Sequence, residues 1–173
     1  MFTKRSFAVV VLCVLFSAIV IAQDANQAAP KLSAAEKTAL IKEFARSATM
    51  DGVVFSYVLL NNKTIEILFP GDLKYAMRAQ ANAVTMFFVQ GVSSKDLPKF
   101  DPKFVVEQNG NSFPGEAVNI RNLKPGAVEK GSKIEGLIQL SQKIDVTQPF
   151  KIKSANVATE FKLSKDAIKM LQN

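Results

Sequence analysis

The residues best able to act as nucleophiles are serines beside lysines, at Ser93-Ser94-Lys95 and at Ser132-Lys133. A lysine can serve as the general base of a Ser–Lys dyad when burial lowers its pKa. Both groups lie in segments with the composition of surface loops, and no helical pattern would hold either pair in place. We therefore interpret them as loop residues and predict no catalytic serine.

Carboxylates are the second group that could carry chemistry. A glycosidase needs two carboxyl groups about 5–9.5 Å apart, usually beside aromatic rings that stack on sugars. The chain has no tryptophan, and Tyr57 and Tyr75 are its two tyrosines. Asp96 and Asp101 could hold calcium with loop carbonyls, but the D-x-D-x-D spacing is lacking. The remaining acidic candidates are scattered along the chain: Asp101, Glu107, Glu116, Glu129, Glu135 and Asp145.

Histidine is absent, and the single cysteine, Cys13, lies in an N-terminal apolar run. Histidine is the commonest general base, so acid–base chemistry near neutral pH loses its usual group. Without an available cysteine, thiol nucleophiles and thiolate zinc sites are excluded as well. No G-x-S-x-G, P-loop, dinucleotide-binding or EF-hand pattern occurs. We predict a non-enzymatic protein with no catalytic, cofactor-binding or metal-binding residues.

The N-terminus has the pattern of a secretory signal peptide over residues 1–22. Lys4 and Arg5 begin it, an apolar run follows, and Val20 and Ala22 occupy the −3 and −1 positions of a cleavage site. The run is shorter than the roughly 20 residues that span a bilayer, although a retained membrane anchor is the alternative. We expect export to the periplasm or the extracellular space, with no stable membrane insertion after cleavage.

The formal net charge is +7, and removal of Lys4 and Arg5 with the signal would lower it by two. The other basic residues are scattered and form no block of five or six like charges. This distribution is typical of a soluble surface with some affinity for anionic envelope material, whereas a nucleic-acid site would gather the charges. We predict an unknown protein or envelope polymer as partner, and no nucleic acid.

The first half of the predicted domain mixes helix and strand. Ser33-Ala-Ala-Glu36 spells a capping box, and the apolar spacing behind it predicts a helix over residues 34–49. The apolar run 53–60 and the alternating run 64–69 predict a β-hairpin, because asparagines separate them. Residues 72–82 fit either helix or strand, and their alanine content favours helix.

The second half is rich in short strands. The clearest is 133–140, where Ile134, Gly136, Ile138 and Leu140 share one face. Ser93 to Pro102 and Ser141 to Gln148 are predicted loops, and Ser164 caps a short last helix. Strands separated by such turns predict a sandwich or a barrel. The predicted strands are 83–90, 104–108, 111–113, 116–120, 133–140, 149–153 and 157–163, with turns at Asn109-Gly110, Pro114-Gly115, Pro125-Gly126 and Ser154-Ala155-Asn156.

Phe87 and Phe88 are adjacent within a predicted strand, so their side chains face opposite sides. One of them must leave the interior unless a second layer covers it. The N-terminal helix and hairpin are the expected cover. The alternative is an exposed apolar patch for a ligand or partner.

Two glycine-and-turn motifs resemble a known family. They are Leu123-x-Pro125-Gly126-x4-Gly131-x4-Gly136-x-Ile138-x-Leu140 and Phe104-Val-Val-Glu-Gln-Asn-Gly. Over residues 83–163 they resemble telokin-like, immunoglobulin-type β-sandwich domains of small secreted bacterial proteins. The resemblance implies a mainly β fold with an immunoglobulin-like sandwich, and it carries over no functional residue.

These patterns predict four segments: a signal peptide (1–22), a flexible leader (23–32), an N-terminal helix, hairpin and connecting segment packed on the sandwich (33–82), and the sandwich with a short C-terminal helix (83–173). Three functions are compatible with them. The first is an exported, non-enzymatic binding or interaction module. The alternatives are a structural protein of the cell envelope and a hydrolase that uses two carboxylates.

We predict that export is accompanied by cleavage after Ala22, because Val20 and Ala22 match the preference for small or short residues before the cleavage site. Mass spectrometry of the exported protein should give a mature N-terminus at Gln23. An exported protein that still begins at Met1 would contradict this prediction.

Overall fold

The computed structural model describes residues 32–50, 52–154 and 157–172. The predicted signal peptide, most of the predicted leader, and Ala155 and Asn156 of a predicted turn lie outside these residues, as do Asp51 and Asn173. The described residues are mainly β, as predicted. In chain order the elements are α1 (Ala34–Glu43), β1 (Ala45–Met50), β2 (Val53–Leu59), α2 (Asn62–Leu68), α3 (Leu73–Ala83), β3 (Met86–Ser93), β4 (Leu97–Phe100), β5 (Phe104–Gln108), β6 (Asn111–Arg121), β7 (Gly126–Val128), β8 (Lys133–Leu140), β9 (Phe150–Ser154), β10 (Val157–Phe161) and α4 (Lys165–Gln172).

Eight strands form one antiparallel sheet in the order β1-β2-β3-β8-β6-β5-β9-β10. The sheet curls until its edge strands, β1 and β10, lie side by side. Arg46 on β1 donates a hydrogen bond to the carbonyl oxygen of Lys162, and its guanidinium lies 5.3 Å from the ring centroid of Phe161. The sheet is therefore a nearly closed barrel, and the immunoglobulin-type sandwich is not confirmed.

The interior of the curled sheet is a phenylalanine-rich core. Phe87 on β3 is fully buried, with ring centroids 5.8 Å from Phe150 and 5.7 Å from Phe161. On β8 the predicted inward face is confirmed, since Ile134, Gly136, Ile138 and Leu140 are all buried. Alternation of side chains along a strand therefore sets which residues fill the barrel.

The outer face of the sheet carries a second apolar layer. Phe88 points away from the barrel and meets Phe69, at the end of α2, with their rings edge to face at 5.9 Å. The cover therefore comes from α2 and α3, whereas the sequence predicts it from the N-terminal helix and a hairpin. The buried members of this layer are Leu60, Ile65, Phe69, Met77, Met86 and Leu137.

The predicted hairpin over residues 53–69 is wrong in its second half, because residues 62–68 are helical. Asn61 caps that helix: its side-chain oxygen accepts hydrogen bonds from the backbone N–H groups of Lys63 and Thr64 at 2.9 and 3.1 Å. Ile65 and Phe69, four residues apart, both reach the buried layer, as one face of a helix requires.

The first helix also ends earlier than predicted. Its capping box is present, with the Ser33 N–H donating to the Glu36 carboxylate at 2.7 Å. The helix stops at Glu43, and residues 45–50 pair with β2 as a strand. Pairing with an apolar strand outweighs local helix propensity, which is worth only tenths of a kcal/mol per residue.

The strand predicted to break at Pro114-Gly115 is continuous, since β6 runs from Asn111 to Arg121. Glycine is needed at position 115, because a Cβ atom there would lie only 2.6 Å from the side chain of Ile138.

The predicted loop 93–102 contains the short strand β4, which pairs with β7. The Asn109-Gly110 turn is confirmed, with φ of 50° and 80°. Helix is also confirmed for residues 73–83 and 165–172.

We predict that Gly136→Leu destabilises the protein by about 1–3 kcal/mol through overpacking. A Cβ at this inward position would lie 2.5 Å from the carbonyl oxygen of Val118 and would overlap the side chain of Leu123. Urea unfolding should show a lower midpoint. Gln139→Leu introduces the same side chain on the outward face of the same strand and serves as control. Equal midpoints for the two variants would contradict the prediction.

Candidate ligand-binding cleft

A cleft of about 390 Å³ opens at one end of the curled sheet. Its walls come from the start of α2, the end of α3, the loop 141–149 and the last turn of α4. The ribbon of β4 and β7 lies at the opposite end, where Phe100 stacks against Phe55 with ring centroids 6.2 Å apart. The volume is in the usual range for a small-molecule site.

Two buried polar side chains fix the loop 141–149 as one wall of the cleft. Thr85, which is 6% exposed, accepts a hydrogen bond at its hydroxyl from the Ile144 N–H at 3.0 Å. Gln108, 7% exposed, donates from its amide to the carbonyl oxygens of Asp145 and Gln148 at 2.7 and 3.3 Å. The loop is thereby attached to both β5 and the segment before β3.

The polar part of the cleft consists of two lysines and several neutral amide and hydroxyl side chains. Lys63 is half-buried and Lys143 is exposed, and among the residues that the structure describes no carboxylate lines the cleft. Asn61 also lines it, with its oxygen engaged in capping α2. The Nδ2 atom of Asn61 is buried and has no hydrogen-bond partner among the described residues. Such an arrangement favours a ligand with acceptor oxygens and negative charge.

The apolar part of the cleft lies on the loop and on α4. Ile144 is buried, and Val146, Met170 and Leu171 are partly buried. All four also pack against the main core, which holds this surface in place. The cleft thus joins an apolar wall to a cationic rim.

At Ser93-Ser94-Lys95, both serine hydroxyls are bound to backbone carbonyl groups. Ser93 donates its hydroxyl proton to the carbonyl oxygen of Lys95, and Ser94 donates to that of Gly52, each at 2.5 Å. Asp96 accepts a hydrogen bond from the Lys130 N–H at 2.8 Å. The carboxylate of Asp101 forms an ion pair with Lys103 at 2.8 Å. In the part of the chain that the structure describes, no cluster of three or more acidic side chains could hold a metal ion.

One shallow hollow of about 360 Å³ brings two carboxylates to the same surface, Glu107 and Glu160. Lys151 lies between them in the sheet, because it is the register partner of Glu107 on β5 and of Glu160 on β10. Lys153 binds Glu107 at 2.6 Å. A glycosidase acid requires a carboxyl group in an apolar pocket, whereas Glu160 is exposed and the half-buried Glu107 is bound by a lysine.

The two tyrosines differ in their surroundings. Tyr57 is 2% exposed inside the barrel, with its ring edge to face with Phe104 at 6.3 Å. Burial raises the pKa of its hydroxyl well above the usual range. Tyr75 is 60% exposed on α3. Neither lines the cleft.

Comparisons with known proteins assign no family. No family model matches the chain, and no curated protein matches it. A solved structure of a functionally unknown protein from Listeria monocytogenes EGD-e is similar at 11% identity and a TM-score of 0.41, covering 69% of this chain and 82% of that one. A similarity at this level indicates no function.

The cleft residues were not predicted from the sequence, because four segments distant along the chain supply them. One local signal was available: Asn61-x-x-Thr64 is a capping pattern, and Thr64 does accept from the Asn61 N–H at 2.9 Å. This pattern predicts where α2 begins, but it does not indicate which other segments complete the cleft.

We predict that Gln108→Leu loosens the wall of the cleft. Two carbonyl groups would lose their buried donor, which should cost about 1–3 kcal/mol and speed hydrogen exchange over residues 142–148. Hydrogen–deuterium exchange with mass spectrometry measures the change. Gln80→Leu makes the same substitution at an exposed glutamine and should leave exchange in this loop unchanged. Unaltered protection in Gln108→Leu would show that the two hydrogen bonds do not hold the loop.

Proposed function

We propose that this protein is an exported, non-enzymatic binding module whose ligand site is the cleft at the α4 end of the barrel. The observation that supports this most directly is the joining of an apolar wall to a rim of two lysines, Lys63 and Lys143. Small-molecule sites generally combine apolar lining with a few convergent polar groups. We also propose that the domain is related to immunoglobulin-type domains and that residues 1–22 direct its export.

The positions of the reactive groups support a binding role over catalysis. In the part of the chain that the structure describes, neither a carboxylate nor a serine lines the cleft. The carboxylates of the separate hollow, Glu107 and Glu160, flank Lys151 on a solvated strand surface. A general acid or base requires a group held in a pocket against the substrate, and these positions do not provide one.

A structural role in the cell envelope is the second candidate, favoured by the net charge of +7, which removal of Lys4 and Arg5 with the signal would lower by two. It would use the basic surface as a whole rather than the cleft. Filling the cleft should abolish ligand binding if the protein is a binding module, and should not affect a structural role. A variant that fills the cleft therefore distinguishes the two roles.

We predict that some compounds from a library of small fragments bind in the cleft. Two-dimensional NMR spectra recorded with these fragments should then show shifted resonances for the cleft residues. Asn82 is exposed and lines the cleft at the end of α3, so Asn82→Trp should fill the space and abolish these shifts. Gln80→Trp places the same side chain on the same helix outside the cleft and should preserve them.

Fragments that bind both variants equally, or that leave the cleft residues unperturbed, would contradict the binding role. Salt-sensitive retention on anionic envelope polymers, equal in wild type and Asn82→Trp, would then favour the structural role.

A further inference from the structure

We propose that the cleft takes a single-chain amphiphilic carboxylate, with its head group near Lys63, Lys143 and Asn61 and its chain along the wall formed by Val146 and Leu171. This inference rests on the proposed binding function and adds the chemical class of the ligand. Three independent features of the cleft support it: its charge, an unpaired donor and the form of its apolar surface.

Among the described residues, the charged side chains that line the cleft have one sign. Lys63 and Lys143 line it, whereas the nearest carboxylate on the loop, Asp145, is outside the lining and accepts hydrogen bonds from Thr147 at 2.6 and 3.0 Å. An anionic head is therefore attracted and a cationic head repelled. Because Lys143 is exposed, the attraction is screened and should weaken as salt is added.

The carboxamide of Asn61 adds a donor at the same place. Its oxygen accepts from two backbone N–H groups at the start of α2, which fixes the orientation of the amide and leaves Nδ2 directed elsewhere. That nitrogen is buried without a partner among the residues described. Because this nitrogen has almost no accessible surface, a ligand oxygen can accept from it only after the residues around it shift, and that contact would then remove the cost of a buried donor without an acceptor. A carboxylate supplies oxygens for the amide and the lysines together.

The apolar wall accounts for the rest of the ligand. Val146, Met170 and Leu171 are only partly buried and line the cleft beside the buried Ile144. A flexible alkyl chain can follow such a wall, and each methylene removed from water stabilises binding by a roughly constant amount. Affinity should therefore depend on chain length until the cleft is full.

Isothermal titration calorimetry on the folded protein, with alkyl carboxylates below their micelle concentrations, tests the ligand class. Decanoate should bind about 15-fold tighter than octanoate, at about fourfold per methylene, and butyrate should give no measurable binding. Decyltrimethylammonium has an alkyl chain of similar length and the opposite charge. It should bind at least about tenfold more weakly than decanoate.

Variants separate the contribution of each group. Lys63→Gln and Lys143→Gln should each weaken decanoate binding about two- to fivefold, while Lys124→Gln, at an exposed lysine outside the cleft, should not. Asn61→Asp keeps an oxygen to cap α2 but replaces the donor with a negative charge. It should retain the circular dichroism of the wild type and bind decanoate at least tenfold more weakly.

Equal binding of decanoate and decyltrimethylammonium, or undiminished decanoate binding by Asn61→Asp, would overturn the carboxylate class. So would an acidic peptide that binds the cleft when decanoate does not. If fragments still shift the cleft resonances in any of these cases, the binding role stands and only the ligand class fails. If neither decanoate nor any fragment binds, both proposals fail.

Discussion

The central strands of the sheet are apolar on both faces, and the rest of the structure covers those faces. Phe87 and Phe88 on β3 show the constraint most directly, because neighbouring residues of a strand point to opposite sides. Phe87 packs inside the barrel against Phe150 and Phe161, whereas Phe88 packs outside against Phe69. Curling of the sheet buries the first face, and α2 and α3 bury the second.

Curling also brings the two edges of the sheet together. The edge strands, β1 and β10, meet through Arg46, which binds the backbone of Lys162 and lies over the ring of Phe161. Their proximity limits the access of another chain to either edge. The two open ends of the barrel then need covers of their own. At one end Phe100 on β4 packs against Phe55, and at the other the loop 141–149 and α4 leave the cleft between them.

The cleft is therefore a consequence of how the barrel ends, and its polarity comes from the residues that happen to fix that end. Asn61 terminates β2 and starts α2, using its oxygen for the cap and leaving its nitrogen unpaired among the described residues. Thr85 and Gln108 hold the facing loop through backbone hydrogen bonds. With Lys63 and Lys143 at the rim, the same residues that cover this end of the barrel produce a cleft with two cationic side chains. Among the described residues, no helix is long and apolar enough to cross a membrane.

Features that depend on neighbouring residues can be predicted from the sequence. The bounds of β5 and β8, the Asn109-Gly110 turn and the Ser33 capping box follow from side-chain period and turn chemistry, which are local. Residues 45–50 and 62–68 each fit both helix and strand locally, and long-range packing selects between the two. The first becomes a strand because β2 offers an apolar partner, and the second becomes a helix because its i, i+4 face covers the sheet. The cleft likewise depends on tertiary structure, because residues from four segments that are distant along the chain meet there only in the folded barrel.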